Sequence, residues 1–211
     1  EVWQRSPSPD EAEAFAALGK VSSGIRAQAM ASAGENTAPV SLKAVDDSWP
    51  LYGKLTLKDG RAVGAPPAGS VWLAEGAAER LGVAPGGTVD IGGQSLTVGG
   101  IVDEEPDRLS EGFALGAVAL VRADFPARAG LLAPGAMFRS KTRIALPAGA
   151  DPKQAIEQLK QRFPDAGFTY KTRDRAAPGA ERFIENMGEF LVLVGLAALA
   201  IAGIGIGGGV S

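Results

Sequence analysis

Apolar and polar positions alternate along much of this chain, and where they do they predict strands. Ile25, Ala27, Ala29 and Ala31 alternate with Arg26, Gln28, Met30 and Ser32; after the turn-forming Gly34 to Thr37, Val40, Leu42 and Ala44 alternate again. Glu1 to Arg5 predicts a short strand ahead of them. The residues that follow carry a helix start: Ser8 is placed to cap, Pro9 takes the first helical position, and Glu11 completes a capping box with Ser8. Phe15 and Leu18 share the buried face, and Gly19 ends the helix.

The same order recurs further along. Lys141 to Leu146 alternates, Asp151 caps, Pro152 opens a helix with Gln154 standing where Glu11 stood, and Ile156, Leu159 and Phe163 mark its buried side. Pro164 to Gly167 stops that helix, and Phe168 to Thr172 predicts another strand. Two strand, capped helix, strand units predict an α+β layer with both helices on one face of a largely antiparallel sheet. The middle has a different character. Ala65 to Gly69 reads as a linker and Val71 to Leu81 as a short helix closed by Gly82. Thr88 to Ile91 and Ser95 to Val102 read as strands joined by a tight Gly92-Gly93 turn, and Ala117 to Val121 as one more strand. Acidic residues crowd the loop between the last two (Asp103, Glu104, Glu105, Asp107, Glu111), which reads as a solvated surface loop because it lacks the ligand spacing of a calcium site. The expected division is therefore a discontinuous domain of residues 1–64 and 137–175, with residues 65–136 inserted as a small β-rich subdomain.

Both periodicities stop at Phe190. From there to Val210 the chain runs FLVLVGLAALAIAGIGIGGGV, without charge or proline. Roughly 20 such residues in a helix cross the apolar layer of a bilayer, so residues 190–211 are expected to form a transmembrane helix. Gly203 and Gly207, like Gly205 and Gly209, are four apart, and each pair lets a neighbouring helix approach closely. Residues 176–189, polar and balanced in sign, read as a connecting helix continuous with that span. A chain that starts at Glu1 and stops at Ser211 beside an apolar run is expected to be a piece of a longer one.

Composition narrows the chemistry. The 211 residues carry a net charge of -3, from 21 basic and 24 acidic side chains, and show no basic, aromatic-interleaved surface for nucleic acid. Histidine and cysteine are absent, which removes Ser-His-Asp and thiolate chemistry, imidazole or thiolate metal sites and disulfides. Asp46 and Asp47 are neighbours and point apart on a strand, so turn chemistry before Pro50 is the expected role rather than a paired-carboxylate site. Trp49, Pro50 and Tyr52 sit where the first domain meets the insertion and offer a hinge or a partner contact, with core packing as the competing role. No catalytic, cofactor or metal residue is assigned.

Three stretches together carry a resemblance: KAVDDSWPLYG (Lys43 to Gly53), VWLAEGAAERLGVAPGGTVDIGG (Val71 to Gly93) and the terminal Phe183 to Ser211. They resemble permeases of the FtsX and MacB superfamily of ABC transporters, in particular its YbbP-like branch. The resemblance implies a MacB-like periplasmic core, a split βαβ porter-like domain with an inserted small β part, followed by a membrane helix. It further implies a non-enzymatic subunit of the inner membrane, with residues 1 to about 185 outside the cytoplasm. A separate cytoplasmic ABC ATPase would drive it, other transmembrane helices of the same permease would surround its span, and a periplasmic lysophospholipase or esterase would be a companion. The implied task is mechanotransmission in export or extraction of a lipid-like compound. The chain has no G-x-x-x-x-G-K-[ST] of its own. Two competing expectations are a tail-anchored binding module and a membrane-bound hydrolase working through carboxylates.

Overall fold

The computed structural model describes residues 1–106 and 117–172. The two longest strands are β2 (Lys20–Ala33) and β3 (Asn36–Val45), an antiparallel hairpin turning at Gly34, whose φ of 57° falls in the left-handed region that glycine tolerates. Beside β3 runs β9 (Ala117–Arg122), parallel to it, and next comes β6 (Ser70–Ala74), antiparallel to β9. β8 (Gln94–Glu104) lies parallel to β6 and is joined by its Gly92-Gly93 turn to β7 (Thr88–Ile91). β7 then pairs with the far end of β2, Ala31 facing Ile91 and Ser32 facing Asp90, so the six strands close into a ring. Closure leaves these strands without long unpaired edges. The residues that alternate inward are small or branched: Ala31, Val40, Leu42, Leu73, Val89, Ile91 and Val121 form one buried cluster within it.

Helices stop the two ends of the ring. α2 (Glu75–Leu81) follows β6, and α3 (Phe125–Arg128) follows β9. Because β6 and β9 are antiparallel, these helices lie at opposite ends, and Ala77, Leu81 and Phe125 all join the inner cluster. The structure corrects the expected helix from Val71 to Leu81: its first residues belong to β6, and only Glu75 onward is helical. Val71, Trp72 and Leu73 are buried on both faces between β8 and β9, an environment that suits branched and aromatic side chains in a central strand. Gly82 closes α2 as expected, in a left-handed conformation (φ 65°, ψ 33°).

At its base the sheet widens. β10 (Phe138–Ala145) pairs with the first half of β2, and β1 (Val2–Trp3) pairs with β10. α1 (Pro9–Leu18) and α4 (Pro152–Arg162) cover one face of this part, and Ala14, Phe15 and Leu159 pack with Val21 and Ile144 of the strands beneath. The capping box of Ser8 and Glu11 is formed in full. Asp151 caps α4 through Lys153, at 2.9 Å, rather than in a box with Gln154. Residues 168–172 do not form the expected strand; β1 beside them is two residues long, and a single residue pair, Glu1 with Thr169, is made. Two short strands absent from the sequence reading, β4 (Leu55–Leu57) and β5 (Ala62–Val63), extend the sheet from the end of β8. Their side chains, with Val45, Trp49, Trp72 and Leu120, bury a second cluster on the outer face of the ring.

The architecture is a mixed, sheet-dominated α+β fold. Residues 1–64 supply β2 and β3 of the ring and residues 65–136 its other strands, so hydrogen bonds cross between these two stretches on both sides. The chain divides into two compact units, Glu1–Tyr170 and Lys171–Ser211. The helix expected at 176–189, the span expected at 190–211 with Gly203, Gly205, Gly207 and Gly209, and Asp107 and Glu111 lie outside the described residues. Among the described residues no helix is long and apolar enough to cross a membrane.

Candidate functional site

Asp46 and Asp47 end β3, and the two carboxylates take different partners. Asp46 accepts from the Ser22 hydroxyl at 2.9 Å, the Ser23 N–H at 2.6 Å and the Ser48 N–H at 3.1 Å. Its carbonyl accepts from the Trp49 N–H at 3.1 Å, which turns the chain. Asp47 reaches outward to Arg122 on β9, at 2.8 Å. Trp49 is 3% exposed and belongs to the outer cluster, Pro50 follows it through a cis bond and is half-buried, and Tyr52 stands 66% exposed. Of the five residues singled out around this junction, then, Trp49 faces the core and Tyr52 faces solvent.

Beneath Trp49 lies a charge pair that no local pattern in the sequence announces. Lys43 is on β3, with Leu42 and Ala44 facing the opposite side, and its ammonium ion-pairs with Glu105 just past the end of β8. The two side chains are 3% and 5% exposed, and the Lys43 nitrogen lies 4.9 Å from the centre of the Trp49 ring. Glu105 is therefore a correction to the expected solvated acidic loop: its carboxylate is buried, because a cation waits for it on the neighbouring face of the sheet. The signal available in the sequence was Lys43 itself, a charge at a central position of an otherwise apolar strand. Next to it, Gly53 packs on Pro106, where an added Cβ would come within 2.6 Å of the proline ring.

A second cluster fastens the base, where the first and last described stretches meet. Arg5 grips the carboxylate of Glu11 with two hydrogen bonds, at 2.7 and 2.8 Å, and Glu11 also accepts the Ser8 N–H at 2.7 Å. The same guanidinium donates to the carbonyl of Ala166 at 2.6 Å and lies 5.2 Å from the Phe168 ring, while the Arg5 carbonyl accepts from the Ser140 hydroxyl at 2.6 Å. Phe168 meets Phe15 edge-on at 5.4 Å and Tyr170 at 6.0 Å. Glu1 and Thr169 exchange two backbone hydrogen bonds, each 2.9 Å. Hydrogen bonding to Arg5, then to Ser8, holds the Glu11 carboxyl below the ordinary range against the opposing cost of its burial. Arg5 is shifted up by the same bond. Burial, with the Glu11 charge added, pushes the Tyr170 phenol up.

Neither cluster has the geometry of a reactive site. Ser140 and Lys141 are adjacent on β10 and turn to opposite faces, Ser140 to the Arg5 carbonyl and Lys141 to Glu1 at 3.4 Å. Among the described residues no group of three potential metal ligands gathers. A shallow open groove of about 420 Å³ lies at α2, lined by Ala78, Val83 and Ile101 and by the ion-paired Lys58 and Glu75. The charges that the fold brings together serve as caps, clamps and internal pairs.

The class that these observations define is a mixed, sheet-dominated α+β domain in which Glu1 lies against Thr169. Residues 2–162 match the MacB-like periplasmic core domain family, and the chain belongs to that family. Over 175 residues it is 29% identical to a protein of Escherichia coli (strain K12) described as an uncharacterized ABC transporter permease, YbbP; the match covers 82% of this chain and 21% of that protein, so the chain spans about a fifth of its relative's length. Two solved structures share the fold. The extracellular domain of the noncanonic ABC-type transporter YknZ from Gram-positive bacteria superposes with a TM-score of 0.54 at 15% identity, covering 81% of this chain and 98% of that one. The periplasmic region of MacB from Actinobacillus actinomycetemcomitans superposes with a TM-score of 0.53 at 17% identity, covering 80% and 77%.

Proposed function

We propose that this chain is the extracytoplasmic domain of an ABC transporter permease subunit, which converts ATP hydrolysis by a separate cytoplasmic ATPase into movement outside the membrane. Family membership supports the class of protein, and the observation that supports the mechanical reading is the base: Glu1 and Thr169 exchange backbone hydrogen bonds, so the first and last stretches of the domain lie side by side. A domain held between two membrane segments needs that arrangement. In this reading residues 190–211 form the membrane helix, with Gly203, Gly205, Gly207 and Gly209 against neighbouring helices, and residues 176–189 form the lever above it. Residues 1–64 and 137–175 make up the porter-like part, carrying α1 and α4, and residues 65–136 are the inserted part. The cargo is lipid-like or hydrophobic and is exported or extracted. The junction of Asp46, Asp47, Trp49, Pro50 and Tyr52 is the hinge or partner contact, and a periplasmic lysophospholipase or esterase is the companion to seek by co-purification.

Absence of cysteine makes the first test direct. Tyr52→Cys in a cysteine-free version of the whole permease places one thiol at an exposed position. A membrane-impermeant maleimide added to intact spheroplasts is expected to label it fully. Labelling only after the membrane is opened would put the domain on the wrong side and end the proposal. A flexible glycine-serine insertion between Pro178 and Glu189 tests the lever: transport is expected to be lost, and transport left intact would count against it.

A further inference from the structure

We infer that Arg5 fastens the two ends of the domain into one body, so that movement delivered through either chain connection turns both together. This rests on the permease reading above and adds the residue that makes the input rigid. Beside Arg5, the exchanged hydrogen bonds of Glu1 and Thr169 and the packing of Phe168 and Tyr170 on Phe15 and the cluster around it tie the two ends. The stretch from Ala166 to Thr172 has no regular strand pairing to hold it. Arg5 joins α1, β10 and the stretch that follows α4. Its side chain grips α1 through both oxygens of Glu11, and the stretch after α4 through the Ala166 carbonyl and the face of Phe168. Its own carbonyl receives the Ser140 hydroxyl of β10.

The chemistry explains why arginine stands here. A planar guanidinium can bind a carboxylate with two parallel bonds, still donate sideways to a carbonyl, and stack on a ring, whereas an ammonium can satisfy only part of that set. Glu11 is in turn fixed by the Ser8 N–H, so the clamp is anchored to the first turn of α1 rather than to a free side chain. If the ends were instead meant to part during the working cycle, a clamp bridging them would oppose each stroke.

Glu1→Cys with Thr169→Cys, in the cysteine-free permease assembled with its ATPase in liposomes, decides between these cases. The two thiols are joined by a short bifunctional thiosulfonate that reductant removes, and ATP hydrolysis is compared with the link closed and open in the same preparation. We expect the rates to agree within about twofold, because the ends do not separate. A loss of tenfold or more with the link closed, restored by reductant, shows that they do separate and overturns the inference. Arg5→Met in the same background is expected to lower coupled hydrolysis about fivefold, and closing the link is expected to restore it. Failure of the link to rescue Arg5→Met also overturns the inference, since Arg5 would then act otherwise than by fastening. If no ATPase assembles with the permease, the permease reading itself falls, an outcome separate from either of these.

Discussion

Lys43 and Glu105 form a buried ion pair, both charges removed from water, with the Lys43 ammonium also over the Trp49 ring. Removing one partner strands the other. Lys43→Met is therefore expected to lower unfolding free energy by about 3–5 kcal/mol, whereas Lys43→Met with Glu105→Leu is expected to come back to within about 1 kcal/mol of the parent, the pattern seen when buried pairs are replaced by packing. Denaturant titrations of the three proteins check this. Equal loss in the single and double variants would show that the pair is held for more than mutual neutralisation. Gly99 gives a second residue-scale expectation. A Cβ built there falls 2.1 Å from the Trp72 ring, and that ring is held by its N–H to the Gly64 carbonyl at 3.1 Å, so it cannot step aside freely. Gly99→Ala is expected to cost about 1–3 kcal/mol by overpacking, read as a lower denaturation midpoint.

Among the elements, α1 concentrates the most local information, and it was legible in full: Ser8, Pro9, Glu11 and Gly19 each do what their positions predict. The Glu11 carboxylate serves the cap and the Arg5 clamp together, which gives the helix a pH dependence of known sign. Its folded-state pKa lies below the unfolded value near about 4.3. The stabilisation is thus complete above that value and is lost as pH falls through the lower, folded-state one. Glu11→Gln is expected to flatten the acid limb of a stability–pH profile measured by urea midpoint while lowering stability at neutral pH. An unchanged acid limb would assign the dependence to other carboxylates. Elements specified by partners far along the chain were harder to read. The apolar run of Val71 to Leu81 joins a buried strand to a helix without a turn residue between them, and periodicity alone cannot divide it. β4 and β5 are three and two residues long, too short for any period to register. At the sites, the Asp46 turn could be read locally, because its partners Ser22 and Ser23 act through a strand end that the pattern already predicts; Lys43 with Glu105, 62 positions apart, could not.

For the whole molecule, the decisive step is closure of the ring, and it is also the step least visible in the chain. The alternation of Ala27, Ala29 and Ala31 announces a strand, but nothing local states that Ala31 will lie opposite Ile91. Closure depends on a narrow seam. β2 meets β3 along ten register pairs but meets β7 through only two, Ala31 with Ile91 and Ser32 with Asp90. Two ladder pairs cannot hold a seam by hydrogen bonding alone, because each net contribution is only about 1 kcal/mol. The seam is instead held by what it buries: Ala31 and Ile91 are both 0% exposed and join the same inner cluster as Leu42 and Val89. Shortening one side chain should therefore open the ring locally before it unfolds the domain. Ile91→Ala is expected to cost about 2–5 kcal/mol. In native-state hydrogen exchange the amides of Asp90, Ile91 and Ser32 are expected to lose protection first, while those of Val40 to Ala44, flanked by β2 and β9, keep theirs. Uniform loss of protection across all strands would show that the ring opens only as a unit and that its seam is no weaker than the rest.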